Sequence, residues 1–145
     1  YVVETSIGLD RMFLAVFSHS LQEEELENGT TRTVLKLPAV LAPFKAAILP
    51  LVKKDGLPEV ARDILNDLKW DFNVFYDEKD AVGKRYRRQD AAGTPFCITV
   101  DHDTLNDNCV TIRHRDTMEQ KRVAIADLKE LINAEVAIKN WLQKM

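Results

Sequence analysis

Apolar residues recur at helical spacing from Ile7 through Leu9, Met12, Phe13, Val16, Phe17 and Leu21. The spacing predicts one amphipathic helix, closed by the acidic run QEEELE at 22–27. The polar stretch ENGTTRT (27–33) breaks it, VLKL (34–37) reads as a short strand, and PAVLAP (38–43) reads as a stiff connector. A domain boundary is expected at the connector, dividing residues 1–37 from 38–145.

Beyond the connector the pattern changes. FKAAILPLV (44–52) is a continuous apolar run of the kind a buried strand carries. LPEVARDILNDLK (57–69) sets Leu57, Val60, Ala61, Ile64, Leu65 and Leu68 on one helical face, with Pro58 in the first turn. WDFNVFY (70–76) alternates, Trp70, Phe72, Val74 and Tyr76 against Asp71, Asn73 and Phe75, which predicts a strand near a sheet edge. A helix from Lys84 to about Ala92 is stopped by Gly93, where a left-handed residue is needed. PFCITVD then predicts a central strand, DHDTLNDN a turn, CVTIRHRD and EQKRVA two further strands, and residues 125–142 a long terminal helix. The order strand, helix, strand, helix, strand, strand, strand, helix makes an α/β sandwich with a parallel opening and an antiparallel meander.

Composition narrows the partners. With 145 residues, 46% hydrophobic and 30% charged, the chain can bury one core and an appendage. A net charge of −3 excludes nucleic-acid binding by a general positive field, so any such contact is local. The longest apolar runs stop well before the roughly 18 residues a membrane helix needs, and no signal-like start appears. Because it opens on Tyr1 inside a hydrophobic stretch, the chain reads as a piece of something larger. Cys97 and Cys109 lack CxxC spacing and read as buried thiols of a reducing cytosol.

Several chemistries fall away. AVGKRY is not a phosphate loop, since Glu78 stands five residues before Gly83 and Arg85 replaces the required Ser or Thr. His19, His102 and His114 form no metal-binding pair, there is no GxSxG, and DHDTLNDN lacks the sixth-position glycine and closing glutamate of a calcium loop. His102 is expected to be a solvated turn residue.

The cations Lys84, Arg85, Arg87 and Arg88 fall within five residues, and for them alone a solvated helix face is a sufficient account. The strand CVTIRHRD alters it. Alternation puts Thr111, Arg113 and Arg115 on one face and Val110, Ile112 and His114 on the other, while Cys97, Thr99 and Asp101 group together in FCITVD. A polar row mixing arginines and carboxylates suits the reading of base edges in a single-stranded loop.

These residues carry a resemblance. DEKDAVGKRYRRQDAAGTPFCITVD, VTIRHRDTMEQKRV and APFKAAILPLVKKDG together resemble the C-terminal anticodon-binding domain of glycyl-tRNA synthetases of the dimeric class II type, from about Leu37 to the end. ETSIGLDR looks like motif 3 of class II synthetases, where a strand runs into a helix and an arginine grips ATP; Thr5 departs from the proline frequent there. The resemblance implies a three-layer α/β/α domain with a five-stranded mixed sheet, preceded by a remnant of the catalytic domain. It implies Arg11 at ATP, with Glu4 and Gly8 in the motif frame. ATP with magnesium would serve the full-length parent, a cytoplasmic homodimer with no DNA or membrane partner, and no cofactor is expected on the fragment. Lacking motifs 1 and 2, the fragment is expected to bind the glycine tRNA without catalysing.

The resemblance implies cytosines at the second and third anticodon positions; for these Arg113 and Arg115 are the expected donors, with Thr111 beside them, and Asp101, Asp116 and Glu119 the acceptors. Lys84, Arg85 and Arg88 are expected on loop phosphates. The alternative is a non-catalytic accessory subunit that keeps the fold and binds nucleic acid, for which Arg11 has no use.

Overall fold

In the computed structural model, which describes residues 1–26 and 29–143, a helix α1 (Leu9–Ser20) leads into an antiparallel hairpin of β1 (Leu21–Glu25) and β2 (Thr31–Leu35). The remaining strands are β3 (Ala46–Pro50), β4 (Val74–Tyr76), β5 (Phe96–Val100), β6 (Cys109–His114) and β7 (Gln120–Ala124). They form one sheet in the order β4-β3-β5-β6-β7. β3 pairs parallel with both β4 and β5, whereas β5, β6 and β7 run antiparallel in turn, as the element order predicted.

Register decides which side chains share a face. Ala46, Phe96 and His114 lie opposite one another, as do Ile48, Ile98 and Ile112. This face packs on Leu57, Ala61, Ile64 and Leu68 of α2 (Leu57–Leu68) and on Leu128, Ile132 and Val136 of α5 (Leu128–Val136). The opposite face carries the rows Ala47–Cys97–Arg113–Gln120 and Leu49–Thr99–Thr111–Arg122. Its β3–β5 half is covered by α3 (Val82–Ala92), whose Tyr86 packs on Ala47, Leu49 and Cys97. Helices thus flank the sheet on both sides. Past Arg113, which α3 still covers, the second face opens: Thr111 is half-buried, and Gln120 and Arg122 of β7 are exposed.

The hairpin docks on α3. Val34 and Leu35 are buried there, and Gly93, at φ +79°, ends α3 under Leu35; a Cβ on it would lie 3.1 Å from the Leu35 carbonyl oxygen. No other residue type accepts both the left-handed backbone and that approach without strain. By contrast α1 is largely exposed, with Leu9, Phe13 and Leu14 each more than 60% accessible.

Five expectations are corrected. The acidic run does not close α1: Glu23, Glu24 and Glu25 are strand, held opposite Thr33, Arg32 and Thr31. A run with a single apolar residue, Leu26, has no period to separate helix from strand, and the ion pairs of Glu24 with Arg32 and Lys36 decide it. Residues 1–8 form no strand before α1. Trp70 and Phe72 lie in the turn that closes α2, Phe72 N–H donating to Leu68 O at 3.0 Å, so the edge strand is only β4. The turn after β5 contains a single helical turn, α4 (Thr104–Asp107), capped from Asp101. The long terminal helix breaks at Ala137, between α5 and α6 (Ile138–Leu142), where the Asn140 side chain donates to Ala134 O at 3.1 Å and replaces lost intrahelical partners. As for the connector, it wraps the Lys45 ammonium, which donates to Ala39, Val40 and Ala42 carbonyl oxygens at 3.1, 2.9 and 2.8 Å.

Candidate nucleic-acid interface

Where α3 stops covering the sheet, a groove of about 390 Å³ opens. Gly83, Lys84, Tyr86 and Arg87 line it from α3, Arg113 from β6, Met118 from the turn after it and Gln120 from β7. The Arg113 guanidinium carbon lies 5.0 Å from the Tyr86 ring centroid, and the Tyr86 hydroxyl and Thr99 hydroxyl are 2.7 Å apart. An aromatic wall, a guanidinium floor and two rim cations are the parts that grip an unpaired base and its phosphate.

The cation run divides by helical period. Arg85 is turned inward and buried, donating to Pro50 O at 2.6 Å, Leu51 O at 3.2 Å and Asp77 O at 3.1 Å; it ties α3 to the end of β3 and does not reach a phosphate. Arg88 is exposed, yet Asp77 and Asp80 hold it at 2.7 and 2.8 Å and keep its charge neutralised. Lys84 and Arg87 are exposed, and their side chains form no hydrogen bond or ion pair among the described residues. Of the three expected phosphate contacts, the burial of Arg85 corrects one, Arg88 is exposed but paired, and Lys84 is exposed and unpaired through its side chain. Arg87 was missed, although its position three residues after Lys84 puts both on one helical side.

The two strand arginines do not project together, which corrects the expectation of a shared exposed row. Both are buried. Arg113 donates to Asp90 Oδ1 at 2.7 Å and Oδ2 at 3.0 Å at the groove floor. Arg115 lies past the end of β6 and turns away, donating to Gly93 O at 2.8 Å, Leu37 O at 2.9 Å and both oxygens of Asp116. The carbonyls left open at the end of α3 attract it. Asp116 is thereby committed; burial raises its carboxyl, but Arg115 outweighs that and holds it below the ordinary carboxylate range.

Thr111 is half-buried on the open face, beside Arg122 in register. Asp101 is also on this side but is clamped: Arg122 Nη1 donates to its Oδ2 at 2.8 Å and Arg122 Nε to Asp107 Oδ2 at 2.9 Å. Burial raises the Asp101 carboxyl, yet Arg122 and Thr104 prevail and lower it. Glu119 is exposed and paired with Lys121 at 3.3 Å. It lies with His114, Thr117 and Lys121 in a separate cavity of about 350 Å³ against α5, on the other face from Arg113. So Arg113 and Lys84 line one groove, Thr111 lies on the same strand face but outside its lining, and Arg115, Asp116 and Glu119 are off it. His102, expected to be solvated, contacts Asp55 at 3.1 Å while staying exposed.

Glu4, Gly8 and Arg11 form no convergent set. Gly8 precedes α1 and accepts from Met12 N–H at 3.1 Å, and Glu4 and Arg11 are exposed without a hydrogen bond or ion pair among the described residues. An ATP site does not fit these three residues alone. Among the described residues no cluster of three His, Cys, Asp or Glu is arranged for a metal, and no helix is long and apolar enough to cross a membrane.

A three-layer mixed sheet with a groove rimmed by two unpaired cations, Lys84 and Arg87, describes a class of RNA-reading domains, and the resemblance to known proteins agrees. The chain belongs to the Anticodon binding domain family, whose model matches residues 45–135. It is 52% identical over 136 residues to a glycine–tRNA ligase of Borrelia hermsii, covering 94% of this chain and 31% of that protein. It is 57% identical over 140 residues to the enzyme of Rhodopirellula baltica, covering 94% and 26%. The chain thus spans about a third or less of the length of these relatives. Two solved structures share its fold. The RNA binding domain of threonyl-tRNA synthetase from Cryptosporidium parvum Iowa II aligns with a TM-score of 0.62 at 23% identity, covering 69% of this chain and 25% of that one. Prolyl-tRNA synthetase from Cryptosporidium parvum, complexed with halofuginone and AMPPNP, aligns at 0.65 and 18%, covering 84% and 32%.

Proposed function

We propose that this chain is the anticodon-reading part of a glycine–tRNA ligase, and that the groove between α3 and β6–β7 receives the anticodon loop. The observation that carries the reading is the placement of Arg113 at the groove floor between Tyr86 and Gln120, with Lys84 and Arg87 on the rim. End-on pairing with Asp90 does not use all five Arg113 N–H donors; some of the rest face the Cys97 thiol, and those left over suit the O2 and N3 acceptors of cytosine. The Gln120 amide supplies an acceptor for the exocyclic amino group, and Tyr86 a stacking surface. Lys84 and Arg87 hold phosphates.

Attachment of glycine to its tRNA with ATP and magnesium, dimerisation and residence in the cytoplasm belong to the proposal for the whole protein, with Arg11 contributing to ATP once the remaining catalytic surface is present. No DNA partner is proposed. The glycine–tRNA ligase relatives favour this reading over a non-catalytic accessory subunit. The test is titration of the chain with a glycine tRNA anticodon hairpin and with the same hairpin carrying guanines for its two cytosines. Preference for the cytosine hairpin is expected, and Arg113→Ala should reduce it by about 1–3 kcal/mol. Equal binding of the two hairpins by the unaltered chain refutes the assignment.

A further inference from the structure

The carboxylate that holds Arg113 has a second arginine on it. Asp90 Oδ2, which accepts from Arg113 Nη2 at 3.0 Å, also accepts from Arg32 Nη1 at 3.1 Å. Asp90, Arg113 and Arg32 are each 4% exposed or less. Arg113 lines the groove; Arg32 does not, and comes from β2, before the segment matched by the family model. Arg32 is in turn fixed by Glu24 Oε2 at 2.7 Å, Arg115 O at 2.9 Å and Asp116 O at 3.4 Å. A chain of contacts therefore runs from the hairpin, through one buried carboxylate, to the floor of the groove.

One carboxylate cannot neutralise two guanidinium groups; Glu24 adds a second carboxylate on Arg32, one it shares with Lys36. Buried pairs of this kind contribute little net stability against an apolar replacement, while they fix geometry closely. Geometry is what base reading needs. A guanidinium whose plane is already set loses less freedom on binding and rejects a base whose donors and acceptors are wrongly placed.

We propose that Asp90 is a positioning residue for RNA recognition, aligning Arg113 in the groove, and that Arg32 of the hairpin holds Asp90 in that alignment. The inference rests on the anticodon reading above. Discrimination between anticodons then depends on a residue that does not line the RNA groove and lies on a different structural unit.

The experiment compares the unaltered 145-residue chain with Arg32→Gln and Arg32→Lys, each titrated with the cytosine and the guanine hairpin. The quantity read is the dissociation constant for the guanine hairpin divided by that for the cytosine hairpin, a ratio that a change in the folded fraction does not move. Arg32→Gln should lower that ratio about tenfold, and Arg32→Lys, which keeps the charge, should restore part of it. A ratio unchanged in Arg32→Gln overturns the proposal. Should that variant not fold, the side-chain Nε–H resonances of the unaltered chain answer the same question. Adding the cytosine hairpin should shift those of Arg113 and Arg32 and leave that of Arg85 in place; an unmoved Arg32 resonance overturns the proposal equally. Equal affinity of the unaltered chain for both hairpins refutes the anticodon reading instead, and this inference with it.

Discussion

Arg85 Nη1 donates to the Pro50 carbonyl oxygen at 2.6 Å, bridging the first turn of α3 and the end of β3 across the sheet layer. Arg85 is 2% exposed, and it also satisfies Leu51 O and Asp77 O. Arg85→Ala orphans all three carbonyls and leaves a cavity, at a cost of about 2–4 kcal/mol in urea denaturation. RNA affinity per folded molecule should be unchanged. A loss below about 0.5 kcal/mol, the range of surface substitutions, contradicts the inward role.

Lys84 and Arg87 behave in the opposite way. Each exposed cation should leave stability within about 0.5 kcal/mol when replaced by alanine, and each should lower the slope of log affinity against log salt by about 1. The loss should be the same for cytosine and guanine hairpins. A slope unaffected by the double replacement removes these residues from the phosphate path.

Gly93→Ala combines two penalties, a left-handed backbone at φ +79° and a Cβ 3.1 Å from the Leu35 carbonyl oxygen. About 2 kcal/mol or more of stability should be lost, with the hairpin loosening first. Hydrogen exchange at Val34 and Leu35 reads this directly. Exchange unchanged there would mean the backbone accommodates the methyl group without moving β2.

Acid should unlock the Arg122 clamp. Asp107 is lowered by Arg122 and by the Cys109 N–H, and Asp101 by Arg122 and Thr104 against its burial. A carboxyl with a depressed folded value contributes stability that is complete above the unfolded value, about 4, and disappears as pH falls through the lower folded values. The difference in melting temperature between the unaltered chain and Arg122→Ala should therefore be constant from pH 7 to about 5 and shrink below about 4. A difference independent of pH down to about 2 excludes the clamp.

The thiols should separate. Burial pushes Cys97 up to about 12, whereas Cys109 is half-buried at the start of β6. At pH 8 a thiol reagent should modify Cys109 alone in the folded chain and both cysteines in denaturant. Rapid modification of Cys97 under native conditions would place it outside the core between α3 and the sheet.

The pattern of apolar positions determined the order of the five sheet strands and of α2 and α3 from 44 to 124, though not the helical turn α4, together with the parallel-then-antiparallel pairing and the left-handed stop at Gly93, because period and turn chemistry are local properties of the chain. It also marked the right half-sheet as polar. What it could not determine was which arginines face water. Arg113 and Arg115 share a pleat, yet one reaches Asp90, 23 positions earlier, and the other the Leu37 carbonyl, 78 positions earlier. Arg32 and Asp90 are 58 positions apart and carry no shared motif. A guanidinium is drawn to whichever acceptors the folded chain leaves unpaired, and those acceptors come together only when sheet, α3 and hairpin have closed on one another. Type and spacing of residues thus defined the surface, and long-range pairing decided which of its charges remain free to meet RNA.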